Sequence, residues 1–515
     1  MKETLTRSMA WLHTWAGLVF GWILFGIFLT GSIAVFWAEI TYWATPEIPF
    51  GLHADRARAS AVATQYLETH AADSRLWRIN YPLPREPLLY VSWLQDGKTR
   101  TRALNPQTGV PVSRDTEGGK FFLRFHFMFG MDYTKNPLGL LTIGAAAIAM
   151  LVACVTGVII HKRIFRDLFT FRPHATSQRS WLDAHNLLSV LPLPFHVMIT
   201  YTGLMLLYWL YMPAAVQALY PGGKPAYRLD LLQEQYRDSY QPPGAVTPMQ
   251  PLFTLVEQAE KSMGKNTISY LYVRNPNRSN ATVEVYRRRD DRVSQQPDRM
   301  VFNGATGRYI ATIDQRNRSL VFRVQSVAAA MHFVEYGGPV VRWLYFLAGM
   351  AGAAMIATGL MVFERKRTAR PDHQLAPAFW RLTKALNLAS VAGIMIASAT
   401  FFWAERIIPA AVADRSRWCA AAFYIAWFVS LVHACLRSSR QGWVEQLGLA
   451  SLLCLGVPFL GVLAPGSSLF ETVSKGDWVR AGVDLTLLGS GLLLGSIAWR
   501  LRVREQPVAL ARAAA

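Results

Sequence analysis

The chain has 515 residues, 52% hydrophobic and 17% charged, with a formal net charge of +20 and a mean hydropathy of +0.18. It is too apolar for an ordinary soluble protein and too mixed for a purely membrane-embedded one, so spans joined to sizeable aqueous segments are expected. The positive balance does not point to nucleic acid, because much of it flanks apolar runs, where the positive-inside rule puts it. The four cysteines, Cys154, Cys419, Cys435 and Cys454, lie in or beside apolar runs and suggest neither a disulfide framework nor a thiolate metal site.

In chain order, residues 1–39 hold a first span, with its apolar run at about 11–38. That run is too long for a signal-peptide core and lacks a small-residue cleavage pattern. A polar segment follows at 40–137. Ala61, Val62, Tyr66 and Leu67 suggest a helix in it, and 88–93 and 99–104 suggest strands about an Asp96-Gly97 turn. Residues 138–211 hold two spans, about 138–160 and 186–211, around a basic loop with Lys162, Arg163, Arg166, Arg172 and Arg179. A second polar segment occupies 212–337, with a helix suggested by Leu252, Phe253, Leu255, Val256 and Ala259 and strands at 269–273 and 282–286. A fourth span lies at 338–365. The remainder, 366–515, reads as a four-helix membrane extension with runs at about 384–404, 417–436, 446–464 and 481–499. Eight spans place Lys2 and Arg7, the loop after span two, ERKRTARPD, Arg437 and Arg440, and the Arg500–Arg504 tail on one side. That side is assigned to the cytoplasm, with both termini inside and the polar segments outside.

Two histidines mark the third span, His185 and His196. On one straight helix, eleven residues make three turns plus about 20°, so both rings would leave the same face ~16 Å apart. An ionisable group inside a membrane helix is costly and is a functional candidate by default. Two imidazoles at different depths suit two haem irons; the alternative is a hydrogen bond from each to a neighbouring helix.

The chain also repeats itself. His13 is followed at 17, 18 and 24 residues by Thr30, Gly31 and Trp37, and His185 at the same spacings by Thr202, Gly203 and Trp209. His126 precedes the second span and His332 the fourth, and those spans end in Thr156-Gly157 and Thr358-Gly359. The turns LNPQTGVPV and FNGATGRYI match, Asn105 and Gly109 with Asn303 and Gly307. The first 365 residues therefore read as helix–module–helix made twice, a mainly α membrane protein with two outer α+β modules. His13 and His185 fall near the inner face, and His126 and His332 near the outer. Each level thus has one histidine per half, enough for a bis-histidine haem. His161 is a further inner candidate. His196 has no twin, lies nearer mid-membrane than either pair, and is an alternative outer ligand. Gly17, Gly21, Gly144, Ala145, Gly349 and Gly352 could admit a macrocycle or a neighbouring helix. His53 and His70 read as solvated, His174 and His373 as loop residues, and His433 as outside the repeat. Arg287-Arg288-Arg289 before Asp290-Asp291 reads as a solvated face, with binding of acidic ligands as the lesser reading.

The motifs LHTWAGLVFG at 12–21, RFHFMFG at 124–130, TGVIIHKRIFRDLFTFRP at 156–173, LDAHNLLSVLPLPFHVMITYTGL at 182–204 and MHFVEYGG at 331–338 carry a resemblance. The chain resembles the PepSY-associated transmembrane family, the iron-regulated membrane proteins, over about 8–368; the outer segments look like PepSY modules. The resemblance implies a bacterial inner membrane, periplasmic modules, and two b-type haems on His13, His126, His185 and His332, with His161 and His196 as subfamily candidates. It also implies reduction of a ferric siderophore. The electron donor would be a quinol or reduced flavin on the cytoplasmic side, since the flavin reductase domain fused to some relatives is replaced by four spans. The rival expectations are a siderophore or iron transporter, whose repeats would be inverted rather than parallel, and a non-enzymatic PepSY interaction protein.

Overall fold

The computed structural model describes residues 2–112, 114–132, 136–161, 177–211, 214, 217–218, 220–223, 242–318, 320–369, 376–437, 440–463 and 466–503. The basic loop at 162–176 with His174, most of 212–241, His373, and the tail from 504 lie outside the described residues. In chain order the elements are α1 (Lys2–Ala34), α2 (Trp37–Trp43), α3 (Arg56–His70), β1 (Leu76–Asn80), β2 (Leu89–Gln95), β3 (Lys98–Leu104), α4 (Lys120–Met128), α5 (Leu138–Ile160), α6 (Ser177–Val190) and α7 (Leu193–Leu206). Then come α8 (Leu252–Met263), β4 (Ile268–Arg274), β5 (Thr282–Arg287), β6 (Arg299–Asn303), β7 (Tyr309–Ile313), α9 (Leu320–Phe333) and α10 (Gly338–Ala369). The extension contributes α11 (Pro377–Leu388), α12 (Ile394–Ile407), α13 (Arg415–Leu436), α14 (Arg440–Gly456) and α15 (Trp478–Val503). The chain forms two units: Met1–Pro46 with Arg114–Leu204 and Arg342–Ala515, and Glu47–Ser113 with Met205–Val341.

The first unit is helical. Seven helices in the described residues are long and apolar enough to cross a membrane, and α6 with α7 makes an eighth only as a pair bent by 62°. The straight helix expected through His185 and His196 is therefore broken. Pro192 has no N–H to give, and its ring would meet the carbonyl one turn back, so α6 stops at Val190. The helix restarts when His196 donates its backbone N–H to the Pro192 carbonyl (2.9 Å). α1 packs along α5, while α4 lies against α1 and α2. The extension is part of the same core. Phe121 of α4 stacks on Phe401 of α12 at 4.4 Å, and Trp22 of α1 donates to Asn387 of α11 (2.8 Å). Glu405 and Arg415 form a fully buried pair at 2.8 Å. Thr116 donates to Glu405 (2.7 Å), and Arg415 donates to the carbonyls of Ile408 (2.9 Å), Glu405 (2.6 Å) and Asp115 (3.3 Å).

The second unit is built on one antiparallel sheet, ordered β3-β2-β1-β4-β5-β6-β7. The two polar segments, separate in sequence, join through β1 and β4, with Ile79 opposite Leu271. β1, β6 and β7 are additional to the strands expected. Ala59, Val62, Ala63 and Leu67 of α3 and Leu252, Leu255, Val256 and Ala259 of α8 recur every three or four residues and bury one stripe of each helix in the sheet's core; Ala61 lies outside that stripe. The repeat is exact at the turns. Asn105 accepts the Gly109 N–H (2.8 Å) and Asn303 the Gly307 N–H (2.9 Å) on their backbone carbonyls. Both glycines have positive φ, 78° and 73°, where a side chain would be strained.

Candidate cofactor-binding site

His13 on α1 and His185 on α6 face each other with ring centroids 6.3 Å apart and planes at 74°. A metal about 2.0 Å from one nitrogen of each ring would put the centroids roughly 6 Å apart. The two rings are held alike. Nδ1 of His13 donates to the Ala153 carbonyl on α5 (3.0 Å), beside the Thr156 hydroxyl (3.1 Å). Nδ1 of His185 donates to the Met355 carbonyl on α10 (2.8 Å). A carbonyl only accepts, so each Nδ1 carries the proton and each Nε2 keeps its lone pair for a ligand. Ala153 and Met355 each precede by four residues the glycine of a Thr-Gly pair. A Cβ on Gly157 would come within 3.3 Å of the His13 ring, and one on Gly359 within 3.0 Å of His185. The Thr-Gly repeat is therefore a seat for the imidazole of a neighbouring helix.

The same seat recurs farther along α1. Nδ1 of His126, on α4, donates to the Ile27 carbonyl (2.8 Å), four residues before Gly31. Ile27 is fourteen residues beyond His13, about 21 Å along the helix. His196 lies beside the same stretch of α1. Its ring meets that of Phe28 edge-on at 5.8 Å and approaches Gly352, whose Cβ would sit 3.1 Å from Nε2. His196 is 0% exposed and neither nitrogen has a hydrogen-bond partner; the Ala348 carbonyl is close by but outside hydrogen-bond geometry. A buried imidazole with both nitrogens orphaned is costly unless something else bonds it.

His161 caps the end of α5, and no ring contact joins it to His13 or His185 among the described residues. His332 lies in the last turn of α9, in the second unit, half-exposed and edge-on to Phe333 at 5.9 Å. His433 has both nitrogens engaged, by Glu445 (2.9 Å) and Gln446 (3.1 Å). Of the small residues singled out, Gly352 lies beside His196, Gly349 packs on Ser32, Gly21 packs on Leu360, and Gly17 has open space beside it. The carbonyls of Ala153, Met355 and Ile27 carry no signal in side-chain chemistry. The four-residue offset from each Thr-Gly pair is what could have located them.

The fold and site define a multi-pass membrane protein with a duplicated helix–module–helix plan and internal imidazoles at two levels. The chain belongs to the family described as the PepSY-associated TM region, whose model matches residues 10–366. It is similar to an uncharacterized protein of Pseudomonas aeruginosa, 24% identical over 388 residues, covering 70% of this chain and 90% of that protein. Residues 367–515 lie outside the family match.

Proposed function

We propose that the chain is an inner-membrane dihaem b oxidoreductase that passes electrons from a cytoplasmic-side quinol or reduced flavin to a periplasmic ferric siderophore. The observation that carries it is the His13–His185 pair, two imidazoles at bis-ligand separation with each Nδ1 committed to a carbonyl. The residues fit the group. His13 and His185 would hold the inner haem, and His126 with His196, on the same unit, the outer. Haem bound between imidazoles accepts and gives one electron at a time, matching the one-electron step from Fe(III) to Fe(II). The carbonyl anchors fix the tautomer and aim of each ring and raise its basicity. The apolar helices keep water from the path, and two levels about 21 Å apart relay charge across a hydrocarbon core of ~30 Å. Iron leaves its chelate on reduction because hard oxygen donors hold Fe(II) far less tightly.

Pyridine haemochrome assay of the purified chain should give two haem b per chain. Dithionite-reduced protein should then be reoxidised anaerobically by a ferric siderophore, with Fe(II) captured by ferrozine. A colourless protein, or reduced haems indifferent to every ferric chelate, ends the reading.

A further inference from the structure

The run Arg287-Arg288-Arg289 closes β5, and the loop after it folds over the start of α9. There Gln295 donates its backbone N–H to the Ser326 carbonyl and Gln296 donates its own to the Ser326 hydroxyl, each at 3.0 Å. The Ser294 and Ser326 hydroxyls meet at 3.0 Å. Ser326 is buried, so the loop is pinned to the helix. Between them lies a cavity of about 150 Å³.

Six arginines line this cavity, Arg287, Arg288, Arg289, Arg292, Arg316 and Arg323, against a single carboxylate, Asp298. Arg292 pairs with Asp298. Arg287, Arg288, Arg289 and Arg316 pair with Asp291, Asp290, Glu335 and Asp314, which stand outside the lining, so six arginines meet five acids and the excess is one positive charge. A guanidinium has five N–H donors, so pairing with one carboxylate does not use all of them. Nε of Arg287 is buried without a hydrogen-bond partner. Arg323, in the first turn of α9, is exposed and in no ion pair among the described residues. That turn is also the positive end of the helix dipole. The cavity lies close to a candidate ligand. Val327, in its wall, precedes His332 by five residues on α9, about 7.5 Å of rise. Arg289 pairs at 2.9 Å with Glu335, three residues beyond His332.

We propose that this cavity seats a carboxylate of the iron chelate, so that the substrate class of this chain is an anionic, carboxylate-bearing ferric chelate. The inference rests on the ferric-chelate reduction proposed above. Size decides that one group enters and not the whole chelate, because pockets that enclose a ligand hold roughly 300–1,000 Å³. Planar guanidinium groups match a carboxylate with paired hydrogen bonds, which a cationic or neutral chelate cannot return.

The test is calorimetric titration of the purified full chain with gallium(III) citrate, which binds as the ferric complex does but is not reduced. Metal-free citrate and a cationic gallium trihydroxamate are the comparison arms. Gallium citrate should bind, more weakly as salt rises. Arg323→Gln and Arg316→Gln should each weaken it about 10-fold, and Arg323→Lys should keep most of the affinity. The trihydroxamate should bind weakly and equally to all variants. Absent binding of gallium citrate, or equal affinity in the variants, overturns the proposal. Metal-free citrate binding as tightly overturns the substrate assignment. Gallium takes no electron and the titration needs no haem, so a failure of the dihaem reading shows separately, as a colourless protein whose titration is unchanged.

Discussion

His126 occupies the space over Gly31 so closely that a methyl there would lie 2.6 Å from its Nδ1 and Cε1. Gly31→Ala should therefore push the ring off the Ile27 carbonyl. The expected result is loss of the outer haem's absorbance with the inner one kept, and a stability loss of about 1–3 kcal/mol. Gly17→Ala on the same helix meets open space and should be silent. Haem content and thermal unfolding in detergent compare the two.

His13 and His185 share one site, so His13→Ala and His185→Ala should give the same spectrum, lacking the inner haem. His161→Ala should keep both haems, since no ring contact ties it to that pair. Low-spin signals counted by electron paramagnetic resonance decide this. Two such signals in either of the first two variants would break the pairing.

Glu405 and Arg415 are buried at 1% and 0% exposure. Removing one leaves the other charged and unpaired, which costs about 3–5 kcal/mol. Glu405→Ala should lower the unfolding temperature in detergent sharply. Replacing both by apolar residues of similar volume should recover much of the loss.

Burial pushes the Tyr81 phenol up to about 12, although its 2.6 Å bond to Ser60 and the nearby Arg56 oppose the shift. The folded value lies above the ordinary 10, so the contribution is fully present below pH 10 and is lost as pH rises through 12. On the order of 2 kcal/mol is at stake. Tyr81→Phe should flatten that part of the pH–stability curve and cost the Ser60 bond at neutral pH. Thermal unfolding followed from pH 9 to pH 12 reads it.

Alkaline phosphatase fused after Pro106 or Asn303 should be active, and fused after Arg172 inactive, if the sheet unit is periplasmic. The opposite pattern would reverse the direction of the proposed electron transfer.

Much of this was legible in the sequence because it depends on local periodicity. Apolar runs of span length, the 17, 18 and 24 residue spacings after His13 and His185, and the paired Asn–Gly turns each reflect neighbours along one element. The hairpin at Asp96-Gly97 formed as expected, with φ of 49° and 70°, because those residues tolerate the left-handed region at little cost. The histidines stood out because imidazole is expensive in an apolar helix.

Other features depended on contacts between distant stretches. Pro192 announces a break, yet only packing sets the 62° bend and the contact of His196 with Phe28. The pairing of β1 with β4, nearly two hundred residues apart, turns two modules into one sheet, and no local pattern encodes a strand's distant partner. The sequence by itself determined which residues carry imidazoles and how far apart they stand along one helix, because residue type and helical rise are local quantities. Only the tertiary structure decided which nitrogen of each ring is free and where six arginines face one cavity, because backbone carbonyls and the closure of a loop onto a helix leave no side-chain signature.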